Sequence, residues 1–308
     1  MSLLDSAVRA AYAFLVVALV GGCATTASPE AGGTAPAAST PTAVGAGSPT
    51  LAKIARSGSI TLGYRETAVP FSFAAPGKEP TGYSIDICRA VVEGLRNDLK
   101  LPALAVKWEP VTAEDRIRKV RDGAVDLECG STTQTINRRK DVDFSLITFV
   151  DGGSFMTRAG ANLLTLKDLD GKRVAVLPGT STEAALNRGL QAVLARAQIT
   201  PVKDYPEGFA LLRDGRVDAL AADRVILIGL AMASKQANAY ALADELYSYE
   251  PYGLVMRRDA DFRLAVDRVI ASLYRSGQIG PIYGRWFGSL GQPSPMLGAM
   301  YLLQSLPE

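Results

Sequence analysis

The 308-residue chain contains no histidine. Without an imidazole there is no Ser-His-Asp triad, no Cys-His pair and no histidine-ligated metal. Cysteine is nearly as scarce, with three in all, so a thiolate zinc site is not expected and no metal or cofactor is implied. These absences weigh against an enzyme more than any other single feature. Charge of one sign is also missing: the formal net charge is +2, with no long basic stripe to recommend a nucleic-acid partner. The short run Arg138-Arg139-Lys140, taken alone, reads as a solvated face. Long apolar runs are lacking too. The stretch Ala10–Val20 is too short for a bilayer core of ~30 Å, which takes about 20 helical residues.

That stretch reads instead as the apolar core of an export signal over residues 1–22, with Arg9 before it. It ends in Val20-Gly21-Gly22-Cys23, and small residues directly before a cysteine resemble a bacterial lipobox. The resemblance implies that Cys23 is lipidated and becomes the first mature residue. The alternative is an ordinary secretory signal with a chance cysteine. Ala24–Thr50 consists almost entirely of Ala, Gly, Pro, Ser and Thr, with Glu30 its only charge. Such a segment cannot bury enough apolar surface to offset the entropy of ordering. Residues 23–50 therefore form a flexible tether with a reach of roughly 30 Å. An anchor, a tether and a globular body describe an exported lipoprotein held at a bacterial membrane and working in solvent.

From residue 58 onward strand-like and helix-like segments alternate, which predicts an α/β fold. Ser59–Tyr64 and Leu104–Trp108 read as strands. Cys88, Val91, Val92, Leu95 and Leu99 mark the buried face of a helix. Thr112 opens a helix, with Asp115 at capping-box spacing. Val125, Leu127 and Cys129 alternate like a half-buried strand. A second unit starts near residue 153 with a strand at Lys172–Leu177. Thr180 and Glu183 then open a helix, again at capping-box spacing. Val217–Ala222 is a strand, and Tyr252–Arg257 leads back to the first unit. Helices at Asp261–Ser276 and up to Phe287 follow, and Met296–Leu306 is apolar enough to dock on the body.

Several segments resemble family 3 of the bacterial solute-binding proteins, in family order. Gly82-Tyr83-Ser84-Ile85-Asp86-Ile87 is similar to its first signature. Gly63-Tyr64-Arg65-Glu66 with Val69-Pro70-Phe71-Ser72, and Glu128-Cys129-Gly130-Ser131-Thr132-Thr133 with Asn137-Arg138-Arg139, resemble its glutamate/aspartate-binding branch. Thr180-Ser181-Thr182-Glu183, Val217-Asp218-Ala219 through Asp223, Tyr252-Gly253 and Arg285-Trp286-Phe287 complete the set. The resemblance implies a two-lobe periplasmic-binding-protein type II fold with two hinge strands. The first lobe would comprise residues 51–152 and 252–308, the second residues 153–251, with ligand in the cleft between them. It also implies a monomer that delivers an amino acid to the permease subunits of an ABC transporter, with no catalysis.

An α-amino acid is a zwitterion, so its site needs donors for a carboxylate and an anion for an ammonium. Arginine offers a permanently charged planar fork for the carboxylate, and by resemblance Arg138 fills that role. Ser131 and Thr133 can add hydroxyl or backbone bonds. Thr180 and Ser181 sit where a helix N-terminus would point free N–H groups at the same carboxylate. Asp223 would accept from the ammonium. In the acidic-amino-acid branch, arginines matching Arg65 and Arg116 hold the distal carboxylate. Three arginines against one aspartate complement a ligand with two carboxylates and one ammonium.

Two positions depart from the branch. Tyr205 stands where histidine is expected, and a phenol donates a hydrogen bond without carrying positive charge at neutral pH. Ala113 stands where a serine is expected. Cys88, on a helix core face, and Cys129, on the inward face of a neighbouring strand, could form a disulfide in an oxidising compartment. The alternative is two buried thiols. Two other functions remain open on this fold: a prephenate or arogenate dehydratase-like enzyme, and a ligand sensor acting through a separate signalling partner.

Overall fold

A computed structural model of the chain describes residues 47–308. The expected export signal of residues 1–22, the expected lipidation site at Cys23 and the expected tether up to residue 46 lie outside the described residues. The folded body begins at Ser48 rather than Leu51. Ser48 caps the helix Pro49–Ser57, accepting from the Leu51 amide at 2.9 Å and donating to Asp259 at 2.7 Å. Pro49 occupies the first helical turn, where its missing N–H costs nothing. Ser48, Pro49 and Thr50 continue the composition of the tether, which conceals a cap-and-proline helix start.

Two five-stranded sheets carry the described residues. In the first the strand order is Ala105–Pro110, Ser59–Tyr64, Leu127–Glu128, Val255–Met256, Asp143–Phe144. The first three of these run parallel, and Val255–Met256 runs antiparallel to both its neighbours. In the second sheet the order is Gln198–Pro201, Arg173–Val176, Ala219–Asp223, Gly153–Arg158, Tyr240–Leu242. Here Gly153–Arg158 is antiparallel to both neighbours. In each sheet the strand flanked by antiparallel partners has just crossed from the other lobe.

The crossings are Phe149–Asp151 and Glu250–Tyr252, which pair antiparallel with Glu250 opposite Asp151 and Tyr252 opposite Phe149. This is the two-lobe α/β architecture with two hinge strands that the resemblance implied. Beneath the ladder lies an aromatic cluster. The Phe71 ring is 4.9 Å from Phe149, 5.1 Å from Tyr252 and 5.5 Å from Phe287, all buried. Such pairs contribute about 0.5–1.5 kcal/mol each beyond their area, and they fasten both crossing strands to the first lobe.

Three local expectations are revised. The alternation at Val125, Leu127 and Cys129 does not mark a half-buried strand, because Asp126 and Glu128 between them are buried too. The strand is central, so its polar face meets partners rather than water: Asp126 takes Lys53 and the Thr61 amide, and Glu128 takes Thr132. Thr112 and Asp115 do exchange capping-box bonds of 2.7 and 3.1 Å, yet the regular helix starts only at Arg116. The return strand is two pieces, Glu250–Tyr252 in the hinge and Val255–Met256 in the first sheet. At the C-terminus the helix Pro295–Leu303 docks through Leu297 and Met300, while Met296, Leu302 and Leu303 are exposed.

Cys88 and Cys129 are joined as a disulfide with their Cα atoms 6.2 Å apart, tying the helix Tyr83–Asp98 to the strand Leu127–Glu128.

Candidate functional site

Ligands of open α/β sheets sit beyond the carboxyl ends of the strands, and Arg65 occupies that position after Ser59–Tyr64. Its backbone is held by Ser72, whose hydroxyl accepts from the Arg65 amide at 3.0 Å. Arg65 is 4% exposed, and its Nη1 is buried without a partner. Arg116, the first residue of its helix, is 3% exposed, with Nε in the same condition. Burial, then the neighbouring Arg138 and Arg65 charges, pull the Arg116 guanidinium down to about 9. The three guanidinium groups therefore share one region. Arg138 is half-buried rather than on a solvated face. It donates to the Thr133 carbonyl at 2.8 Å and across the seam to the Gly179 carbonyl at 3.3 Å. Burial lowers its pKa against the opposing pull of Glu250, Glu128 and Asp223.

At Gly179 the lobes approach each other closely. Its φ of +75° favours glycine, and a Cβ there would lie 3.2–3.3 Å from Glu114 and the Ala113 carbonyl. Thr180 caps the following helix, Ser181–Ala192, accepting from the Glu183 amide at 3.0 Å and donating to the Leu177 carbonyl at 2.8 Å. Its side chain is thus committed to the cap. The Glu183 carboxylate closes the motif on the Gly179 amide at 3.0 Å.

Asp223 ends the central strand of the second lobe and is 5% exposed. It accepts from the hydroxyls of Thr182 and Tyr252. Close by, Asp151 accepts from the Gly152 and Val225 amides at 2.8 and 3.0 Å. Burial raises Asp223 to about 6, with Glu250 repulsion next, and raises Asp151 to about 8, with Asp223 repulsion next. The two carboxylates titrate as a pair, and burial with their mutual repulsion holds a proton on it toward neutral pH. Tyr205 is buried beside Arg65, whose guanidinium carbon is 6.0 Å from the ring centre. Burial pushes its hydroxyl up to about 12, so it stays a neutral donor.

Ser131 and Thr133 are buried on one turn of the first lobe. The Thr133 hydroxyl donates to Glu250, as does that of Ser181 at 2.6 Å. A carboxylate only accepts, so both hydroxyl protons are spent there. The first backbone N–H groups of the Ser181 helix have no intrahelical acceptor.

Glu250, Glu128, Thr182, Tyr252 and Asp151 were not singled out from sequence. Tyr252 lies in the quoted Tyr252-Gly253 motif, but nothing in that motif shows what its hydroxyl reaches. The charge count of three arginines against one aspartate is therefore corrected. Glu128 and Glu250 are buried in the same region, so three arginines face three carboxylates. What survives is the unpartnered state of Arg65 Nη1 and Arg116 Nε.

The family model for bacterial extracellular solute-binding proteins, family 3, matches residues 60–289. The chain belongs to that family. It is 38% identical to the L-glutamate/L-aspartate-binding protein of Pseudomonas aeruginosa, over 81% of this chain and 82% of the relative. It is 34% identical to the glutamate/aspartate import solute-binding protein of Escherichia coli K12, over 91% of this chain and 88% of the relative. Among solved structures it superposes on an ancestral amino-acid-binding protein described as a precursor of cyclohexadienyl dehydratase. That match has a TM-score of 0.68 and 26% identity, covering 77% of this chain and 99% of the other. The curated relatives of this family member are named as binding proteins, and homology makes it a non-catalytic one.

Proposed function

We propose that this solute-binding protein is the extracytoplasmic receptor of an ABC importer for glutamate or aspartate. One observation carries the reading: two buried guanidinium groups, Arg65 and Arg116, keep unpartnered nitrogens, and Arg116 is near enough to the Asp223 carboxylate for their charges to act on each other. A buried donor without an acceptor costs about 1–3 kcal/mol, and a distal carboxylate removes that cost. The α-carboxylate then lies on Arg138 and the helix N-terminus at Ser181, with Ser131 and Thr133 shaping the turn beneath. The ammonium lies on Asp223, and the Tyr205 hydroxyl donates to the distal end. Each charged hydrogen bond is worth ~1.5–3 kcal/mol net, enough together for micromolar binding. The relatives named for glutamate and aspartate support the same ligand class.

In this reading residues 51–152 with 252–308, and residues 153–251, are two lobes that close on the ligand as the crossing strands Phe149–Asp151 and Glu250–Tyr252 flex between them. The protein acts as a monomer, anchored through Cys23, and hands its ligand to the permease subunits. A calorimetric screen of the twenty amino acids tests the ligand. Glutamate or aspartate should bind tightest, and tight binding of a neutral or basic amino acid instead would overturn the assignment.

A further inference from the structure

Glu250 is 1% exposed and accepts hydroxyl protons from three segments. Its Oε1 takes Ser248 at 2.5 Å; its Oε2 takes Thr133 at 2.5 Å and Ser181 at 2.6 Å. Thr133 belongs to the first sheet's side of the cleft, and a β-bridge to Tyr252 fixes it against Glu250's own strand. Ser181 opens a helix that packs on the second sheet. One oxygen atom thus holds a hydroxyl from each lobe, and it sits on the strand about which the lobes turn. The seam beside it is not packed shut. A cavity of about 640 Å³ runs past Thr133, Ser181, Ser248 and Glu250, so at this point polar contacts rather than apolar packing join the lobes.

We infer that Glu250 is a positioning residue that latches the second lobe closed by capturing the Ser181 hydroxyl, without touching the ligand. When the lobes part, Thr133 stays with Glu250 and Ser181 leaves it. The latch also sets polarity. Because Thr133 and Ser181 give their only hydroxyl protons to Glu250, each can offer only acceptor lone pairs elsewhere. A ligand carboxylate must then rely on Arg138 and backbone N–H groups. The latch deepens the proposed binding function and rests on it for the ligand kinetics. It does not rest on it for the lobe arrangement of the protein alone.

The test compares wild type with Glu250→Ala, Ser181→Ala and the double variant, with Glu250→Gln as the conservative rescue. Small-angle scattering without amino acid reads closure. Either single variant should show a larger radius of gyration than wild type, whatever the ligand proves to be. Stopped-flow kinetics with glutamate should show release faster by about tenfold, and association changed by less than about threefold. The double variant should match Glu250→Ala, because the two residues make one bond. Glu250→Gln, which keeps a carbonyl acceptor, should fall between. Unchanged scattering, additive losses, or a loss confined to association would each overturn the latch. If Glu250→Ala does not fold, Ser181→Ala alone carries the scattering and release tests with the same outcomes. Failure of glutamate to bind would remove the ligand reading and leave the scattering comparison to decide.

Discussion

The Tyr252 hydroxyl, on the strand returning to the first lobe, donates to the Asp223 carboxylate at the end of the second lobe's central strand. The same hydroxyl is 3.4 Å from Asp151. It therefore stands between two carboxylates and lowers the pKa of both, against the desolvation that raises them.

That arrangement predicts a pH dependence of binding. The ligand ammonium needs an ionised Asp223, whose pKa is raised to about 6. Affinity should hold at neutral pH and fall as pH drops through about 6, by about tenfold per unit below it. Tyr252→Phe removes a bond that favours the ionised form, so the midpoint should move upward. Calorimetric titrations from pH 4.5 to 8 check this; a midpoint unmoved by Tyr252→Phe would separate the phenol from the titration.

Arg65→Met should weaken glutamate and aspartate by several kcal/mol, leaving a desolvated carboxylate without its partner. Glutamine and asparagine should lose much less. Arg138→Ala and Asp223→Asn should abolish binding of acids and amides alike. Equal losses of acids and amides in Arg65→Met would assign Arg65 to support of the lobe.

Cys88 and Cys129 should resist alkylation in denaturant until reduced, as expected of a bonded pair. Replacing both by alanine should cost about 2–4 kcal/mol by removing a cross-link from the unfolded chain. Chemical denaturation of the variant and of wild type measures the difference.

The Ser48 cap predicts where the body can be trimmed. A chain starting at residue 47 should be more stable than one starting at Leu51, by about 1–2 kcal/mol for the lost cap. Ser48→Ala in the full chain should reproduce much of that loss. Equal melting temperatures for the two truncations would place Ser48–Thr50 outside the cooperative unit.

Cys23→Ser should release the protein from membranes into the aqueous phase of a detergent extraction, whereas the unaltered chain should partition with detergent. Aqueous partitioning of the unaltered chain would end the lipoprotein proposal.

Much of the fold was legible in the chain because its signals are local. The strand-like run Ser59–Tyr64, the helical spacing from Cys88 to Leu99, and the Thr180–Glu183 cap each depend on neighbours within a few residues, and each element formed. The sequence placed Arg65, Arg138 and Asp223 beside strands and turns that could carry a site. It did not reveal Glu250, two of whose hydroxyl donors, Thr133 and Ser181, are 117 and 69 residues away, or the Tyr252–Asp223 bond across 29 residues. It counted Glu128 as a strand residue, not as a buried charge among arginines. Local pattern determines which elements form and which faces they bury. Only the juxtaposition of distant segments decides which buried charges meet and which hydroxyl protons are already taken, because electrostatic and hydrogen-bond partners are set by distance in space.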